Sequence, residues 1–381
     1  MSVPLSILDL APVSAGSNPR QALRNSVDLA RHAEDWGYHR YWLAEHHFVA
    51  VASSSTITLI GQVAAATKRI RVGSAAVQAG FHTSAAIVEA FGTIDAFHPG
   101  RLDLGLGRSA HRRAQLNTLK APASDRARPP VRTENIVRDG VVVPPPFDPS
   151  RLADASRFVA ALDALIPEGA KAPPFADQVA EVIALLDGTF TTADGTALHA
   201  VPGEGAQVEV WLFGSSGGES AALAGRLGLP FAAAYHVAPG SSLDAVDAYR
   251  AAFRPSRFLA EPYVVISADA VVAADDATAR AHAEGYGHWV HSIRGGGGAT
   301  EYPAPNSVPP LTPEQRGLIQ DRLDTQFVGA PATVVERLSA LQRVTDADEV
   351  LVTTITHDHA DRLESYRLLA EAWGLRTARA A

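Results

Sequence analysis

The chain has 381 residues, 46% hydrophobic and 19% charged, a balance with room for a full core and ordinary for an enzyme. It has no cysteine, which excludes a disulfide framework, a thiolate nucleophile and a cysteine-ligated zinc site. A formal net charge of −8 argues against a nucleic-acid-binding surface, and no apolar run reaches the roughly 18 residues of a membrane span. Residues 1–10 lack the basic and apolar regions of a signal segment. The expectation is a cytoplasmic enzyme acting on a small molecule, with no nucleic acid and no membrane as partner.

Residues 5–10 (LSILDL) read as a short buried strand. Asn18 caps a helix that Pro19 opens and that runs to about residue 35. Leu23, Val27, Ala30 and Ala33 mark its apolar face, and Gly37 stops it. A second strand, 39–43, runs straight into Glu45, His46 and His47. A carboxylate and two imidazoles past a strand end are poor core material; neighbouring side chains or a ligand must satisfy them. Helix 54–67 follows, then strand 70–77 (IRVGSAAV). Its small residues Gly73, Ser74, Ala75 and Ala76 pack weakly and suit a place where a ligand lies flat against the backbone. Helix 84–97, the stop His98-Pro99-Gly100 and strand 101–105 complete the fourth unit.

From 110 to 150 the chain is rich in Arg and Pro with little periodicity, an excursion expected over the mouth of the fold. Helices are expected at 151–165 and 175–186, then strand 208–213, helix 219–227, strand 230–235 and helix 242–253. A seventh strand covers 263–268, a helix runs from 276 into the region of His288, and a glycine-rich insertion fills 294–313. Helix 331–344, strand 349–354 and helix 360–373 end the pattern. Eight short apolar strands alternating with helices define an α/β fold, a single (β/α)8 TIM barrel over 1–381. Its insertions follow strand 4 and precede the last helices. An open doubly wound sheet is the alternative.

In such a barrel all strands end on one face, and that face carries the active site. The polar residues just past the strand ends are Glu45, His46, His47, Gln78, His82, Arg108, Ser109, Ser215, Ser216, His236 and His357. The turn Gly214-Ser215-Ser216-Gly217-Gly218 offers N–H groups and hydroxyls at a helix start, where phosphate is the natural ligand. Arg108 would add a charge-assisted fork. The plain alternative is that a Gly-Ser turn is only a turn. Gly105-Leu106-Gly107-Arg108-Ser109-Ala110 matches a dinucleotide fingerprint, but it sits in the fourth unit and no clean helix follows it. His357-Asp358-His359 reads as a cap on the last helix rather than a metal pair, and adjacent His46 and His47 point opposite ways in an extended segment. No metal site is expected.

Taken together, Trp42-Leu43-Ala44-Glu45-His46-His47-Phe48, Ile70-Arg71-Val72-Gly73-Ser74-Ala75-Ala76, Pro99-Gly100-Arg101-Leu102-Asp103-Leu104-Gly105-Leu106-Gly107-Arg108 and Trp211-Leu212-Phe213-Gly214-Ser215-Ser216 resemble the bacterial luciferase-like flavin-dependent monooxygenases. The resemblance implies reduced FMN supplied by a separate NAD(P)H flavin reductase. With O2 it would oxygenate a small organic substrate through a flavin C4a-hydroperoxide. It implies His46 as the catalytic histidine, with Glu45 as a supporting charge and His47 as a structural partner. Arg108, Gly214, Ser215, Ser216 and Ser220 would hold the FMN phosphate. Ser74, Ala75 and Ala76 would lie behind the isoalloxazine, with a cis peptide between the two alanines. Gln78, His82 and His236 would face the substrate, and the segments 110–150 and 294–313 fall where a lid would be. A homodimer is the expected assembly. An F420-dependent dehydrogenase or reductase on the same fold and a non-catalytic flavin-binding subunit remain as alternatives. Three departures border the expected site: Gln78-Ala79-Gly80-Phe81-His82-Thr83 replaces a Leu-Pro-Asn-His-like run, Ser109-Ala110-His111 replaces Ala-Pro-Gly, and the phosphate turn is one residue longer. The substrate is left open.

Overall fold

A computed structural model describes residues 3–108, 132–152, 156–166 and 172–376. Ser109 and residues 110–131 of the first insertion lie outside the described residues. Within them, the barrel strands are β1 (Leu5–Asp9), β2 (Arg40–Leu43), β3 (Arg71–Ser74), β4 (Leu102–Gly107), β5 (Val208–Gly214), β6 (Phe231–Ala233), β7 (Val264–Val272) and β8 (Glu349–Thr353). Each pairs in parallel with the next, and β8 returns to β1 with Leu5 opposite Val350. The sheet closes, so the open-sheet alternative falls. The helical layer is α1 (Pro19–Trp36), α2 (Thr56–Ala66), α3 (Ser84–Asp95), α4 (Phe175–Leu186), α5 (Glu219–Leu227), α6 (Ser242–Ala252), α7 (Pro331–Thr345) and α8 (His359–Trp373). The ends of α1 follow its sequence: the Asn18 side chain accepts from the Gln21 N–H at 3.1 Å, Pro19 takes the first turn, and Gly37 closes it at φ +84°.

The two-residue period of the strands sorts the core. Leu5, Ile7, Tyr41, Leu43, Leu104, Ile266 and Val352 pack outward under the helices. Leu8, Trp42, Trp211, Ala232, Val265 and Leu351 fill the inside, where the Trp42 and Trp211 rings meet edge to face at 4.9 Å. Below this layer the barrel floor is charged. Arg40 donates to Asp103 at 2.9 Å, to Glu209 at 3.0 Å and to Glu349 at 3.1 Å. Arg71 adds a second contact to Asp103 at 2.6 Å, and Ser6 and Tyr263 donate to Glu349. Asp103 and Glu349 are fully buried, so each charge persists only because its partners replace water. Burial opposes the Arg40 charge, but Asp103, Glu349 and Glu209 outweigh it and raise the guanidinium pKa.

Several expectations are corrected. The strand expected over 70–77 ends at Ser74, and Val77–Gln78 pairs separately with Leu106 and Gly107; the Ala75–Ala76 peptide between them is cis, as expected. Gly73 and Gly105 are small because β3 and β4 nearly touch: an added Cβ at Gly73 would lie 2.3 Å from the Asp103 carbonyl oxygen, and one at Gly105 2.0 Å from that of Ser74. The described part of the first insertion holds an antiparallel hairpin, Ile136–Arg138 with Val141–Val143, turned by Asp139 and Gly140 at positive φ. β7 runs four residues past its expected end at 268, to Val272. The helix expected from 276 is broken into Asp276–His282 and Tyr286–Arg294. Past the second insertion stand an unexpected helix, Pro313–Thr325, and a short strand, Phe327–Gly329, on the end of β7. No helix among the described residues is long and apolar enough to cross a membrane.

Candidate active site

β2 delivers Glu45 to the mouth of the barrel, where it becomes a hub. Its Oε1 accepts from His47 Nε2 at 2.8 Å and from His82 Nε2 at 3.0 Å, and its Oε2 accepts from the Gln78 N–H at 3.0 Å. The Gln78 side chain donates back to the Glu45 carbonyl at 2.6 Å. Burial alone would raise the carboxyl pKa; the bonds from His47, His82 and the Gln78 N–H hold it at about 2. The same bond from Glu45 raises the His82 imidazole above its ordinary range, against burial. From α4, Gln178 pins the 79–82 turn by donating to the Ala79 and His82 carbonyls at 2.7 and 2.9 Å. Gln78 and His82, expected on the substrate, thus spend their polar groups on Glu45. His47, expected to be structural, bonds that carboxylate too.

On the next side of the mouth, Arg108 meets the start of α5. Its NH1 donates to Glu219 at 3.1 Å, and its NH2 lies beside Gly218 in the Gly-Ser turn. The turn is braced by Ser241, whose hydroxyl donates to the Ser215 carbonyl at 2.5 Å. Ser215 and Ser216 stay at the surface of the turn, while Ser220 is buried in the first turn of α5. Ala75 and Ala76 are half-buried at the rim, and the Ala76 methyl faces Gly107. Ser74 is placed otherwise than expected: it is fully buried, and its hydroxyl bridges the Gly105 carbonyl at 2.9 Å and N–H at 3.0 Å. It joins two strands instead of facing the opening.

The third side of the mouth escaped the sequence reading apart from His46 and His236. His236 Nδ1 lies 2.5 Å from Ser267 Oγ on β7. Burial, with the charges of Arg322 and His46 nearby, pushes the His236 imidazole down to about 3 and keeps it neutral. One turn of the strand further out, Asp269 accepts from Tyr286 Oη at 2.8 Å and from Arg322 at 3.2 Å, and Arg322 also donates to Tyr286 at 2.9 Å. Burial raises the Asp269 carboxyl pKa even beside Arg322. An acid just beyond the expected end of an apolar strand was the available signal. His357 and His359 are not paired with each other: the first reaches the Ala15 carbonyl at 3.0 Å, the second Asp28 of α1 at 2.9 Å. A groove of about 750 Å³ also lies on the outer wall between α1 and α2, lined by Leu23, Arg24, Val27, Asp28, Leu59 and Gln62. It lies on the outer surface between two helices, whereas the polar groups converge at the mouth, so the mouth is the candidate site.

A closed parallel barrel with its chemistry at the strand ends defines a class shared by many enzymes. Comparison with known proteins narrows it. The family model for luciferase-like monooxygenase matches residues 3–138 and 140–347, and the chain belongs to that family. It is 37% identical over 372 residues to the uncharacterized protein YvbT of Bacillus subtilis, covering 97% of this chain and 96% of that one. It is 36% identical over 369 residues to a luciferase-like monooxygenase of Escherichia coli, with 96% of each covered. Among solved structures, apo-MsnO8 matches with a TM-score of 0.75 at 28% identity, over 98% of this chain and 99% of that one. The fold alone is shared with the oxygenating constituent of 3,6-diketocamphane monooxygenase from Pseudomonas putida in complex with FMN (TM-score 0.59, 17% identity, 100% of each chain). It is also shared with an F420-dependent secondary alcohol dehydrogenase (TM-score 0.59, 12% identity, 98% of this chain and 99% of that one).

Proposed function

We propose that this oxidoreductase is an FMN-dependent monooxygenase that uses reduced FMN and O2 to oxygenate a small organic substrate. The observation that carries the reading is the meeting of Arg108 with the Gly214–Gly218 turn at the start of α5, beside the half-buried Ala75–Ala76 step. The residues fit the group. A guanidinium, two serine hydroxyls and a helix start suit a phosphate dianion, which would compete with Glu219 for Arg108. Small side chains at the rim leave room for a flat ring. When bound, reduced FMN supplies the two electrons that activate O2. His46 is the group that moves a proton beside the ring, Glu45 holds its segment rigid, and neutral His236 adjoins His46 without adding a charge. The packed Trp42 and Trp211 below keep water from entering through the barrel. In this reading a separate NAD(P)H flavin reductase supplies the flavin, and the protein works as a cytoplasmic homodimer.

The second reading is hydride transfer with F420, which the same fold supports in a neighbour. Titration with FMN, riboflavin and F420 separates the two. The monooxygenase reading expects FMN to bind, and Arg108→Ala to weaken it about 10–100-fold, the worth of one charge-assisted contact, while riboflavin is unaffected. Equal losses for both flavins would remove Arg108 from the phosphate site. Binding of F420 without FMN would replace the oxygenase with the hydride-transfer enzyme.

A further inference from the structure

Three buried polar atoms in the barrel mouth have no hydrogen-bond partner among the described residues: Asp269 Oδ1, Thr353 Oγ1 and Tyr302 Oη. Their residues are 3%, 1% and 1% exposed, respectively. They lie together. Asp269 and Thr353 are in register on β7 and β8, at the inward-facing positions that continue Val265 and Leu351, and Tyr302 is near enough to feel the Asp269 charge. Buried polar groups are nearly always paired, so three orphans in one place point to a group that arrives from outside. The other Asp269 oxygen is already occupied by Tyr286 and Arg322, which fixes the carboxylate and leaves Oδ1 as an open acceptor. Tyr286, Trp289 and Tyr302 belong to the apolar cluster that surrounds the site.

We propose that Asp269, Thr353 and Tyr302 form a recognition subsite for the organic substrate, one that takes a hydroxyl or N–H donor carried on an apolar body. The open carboxylate oxygen accepts from the donor, the two hydroxyls adapt as donor or acceptor, and the aromatic side chains cover the apolar part. The inference rests on the reading of the mouth as the substrate chamber.

The test uses benzyl alcohol, benzylamine and toluene, titrated into the full-length protein by tryptophan fluorescence, with soaked crystals alongside. The unsubstituted protein is expected to bind the two donor probes about 10-fold more tightly than toluene, the worth of one buried hydrogen bond. In Thr353→Val and Tyr302→Phe that preference should shrink to roughly 3-fold or less. Both variants should melt no lower than the parent, because the hydroxyls removed have no hydrogen-bond partner among the described residues. The subsite is overturned by equal affinity for toluene, by a preference that survives both substitutions, or by no saturable binding of any probe. It is overturned equally by lower melting of both variants, or by a water bonded to all three atoms that stays when a probe binds. FMN titration of the same preparations separates the two claims. Loss of FMN binding counts against the flavin reading; FMN binding with no donor preference counts against the subsite alone.

Discussion

Glu45 illustrates how much one side chain controls. A carboxyl held at about 2 in the fold, against 4.5 in the unfolded chain, contributes stability that is complete above pH 4.5 and lost as pH falls toward 2. The shift corresponds to about 3 kcal/mol. Glu45→Gln should therefore unfold at lower urea than the parent at pH 6, and the gap should narrow to about a quarter near pH 2.5; a gap of the same size at both pH values would show that the charge is not what matters. His82 has the opposite sign: its raised pKa contributes below pH 6.5 and is lost as pH climbs through the folded value. His46 is expected to act on chemistry instead. His46→Ala should keep FMN bound and cut product formation by roughly 10²-fold, with oxygen consumption diverted to H2O2; coupled turnover that survives would make His46 scaffold. His47→Ala should act on stability, since it removes a donor from Glu45. The types of these residues were legible in the sequence. Their pairings were not, because Gln78 and His82 reach Glu45 only once β2 and β3 lie side by side.

At the scale of elements, the strands carry more than their apolar pattern. β2 presents Arg40 to the barrel floor between three carboxylates. Arg40→Met would leave buried Asp103 and Glu349 short of their main cation, and the expected loss is about 3–5 kcal/mol in chemical denaturation. A loss under about 1 kcal/mol would mean that Arg71 alone neutralises the floor. Reading 39–43 as an apolar run missed this, since a hydrophobic average hides one buried charge. The helix Pro313–Thr325 was missed for a related reason: it buries only Ile319, Arg322 and Thr325, so it has no apolar stripe to detect. Its start was nonetheless written in Thr312-Pro313-Glu314-Gln315, a capping box. The Asp139-Gly140 hairpin was missed as well, although a two-residue turn between short valine-rich runs carries its signal.

At the scale of the molecule, the groove between α1 and α2 offers half-buried Leu23 and Val27 beside Arg24 and Asp28, a surface able to complement its own copy. Light scattering is expected to give twice the chain mass, and Leu23→Glu with Val27→Glu to halve it; a monomer at micromolar concentration would leave the groove an ordinary seam between helices. The sequence by itself determined the alternation of strands and helices, the family, and the residue types that gather past the strand ends. Those follow from local periodicity and from short motifs, which need no knowledge of the fold. Only the tertiary structure decided which polar groups are already spent. It gave Ser74 to Gly105, Gln78 and His82 to Glu45, and His236 to Ser267, and it left Asp269 Oδ1, Thr353 Oγ1 and Tyr302 Oη without a partner among the described residues. The physical reason is that hydrogen-bond satisfaction inside a barrel is set across strands, between residues tens to hundreds of positions apart, and burial makes each such pairing decisive.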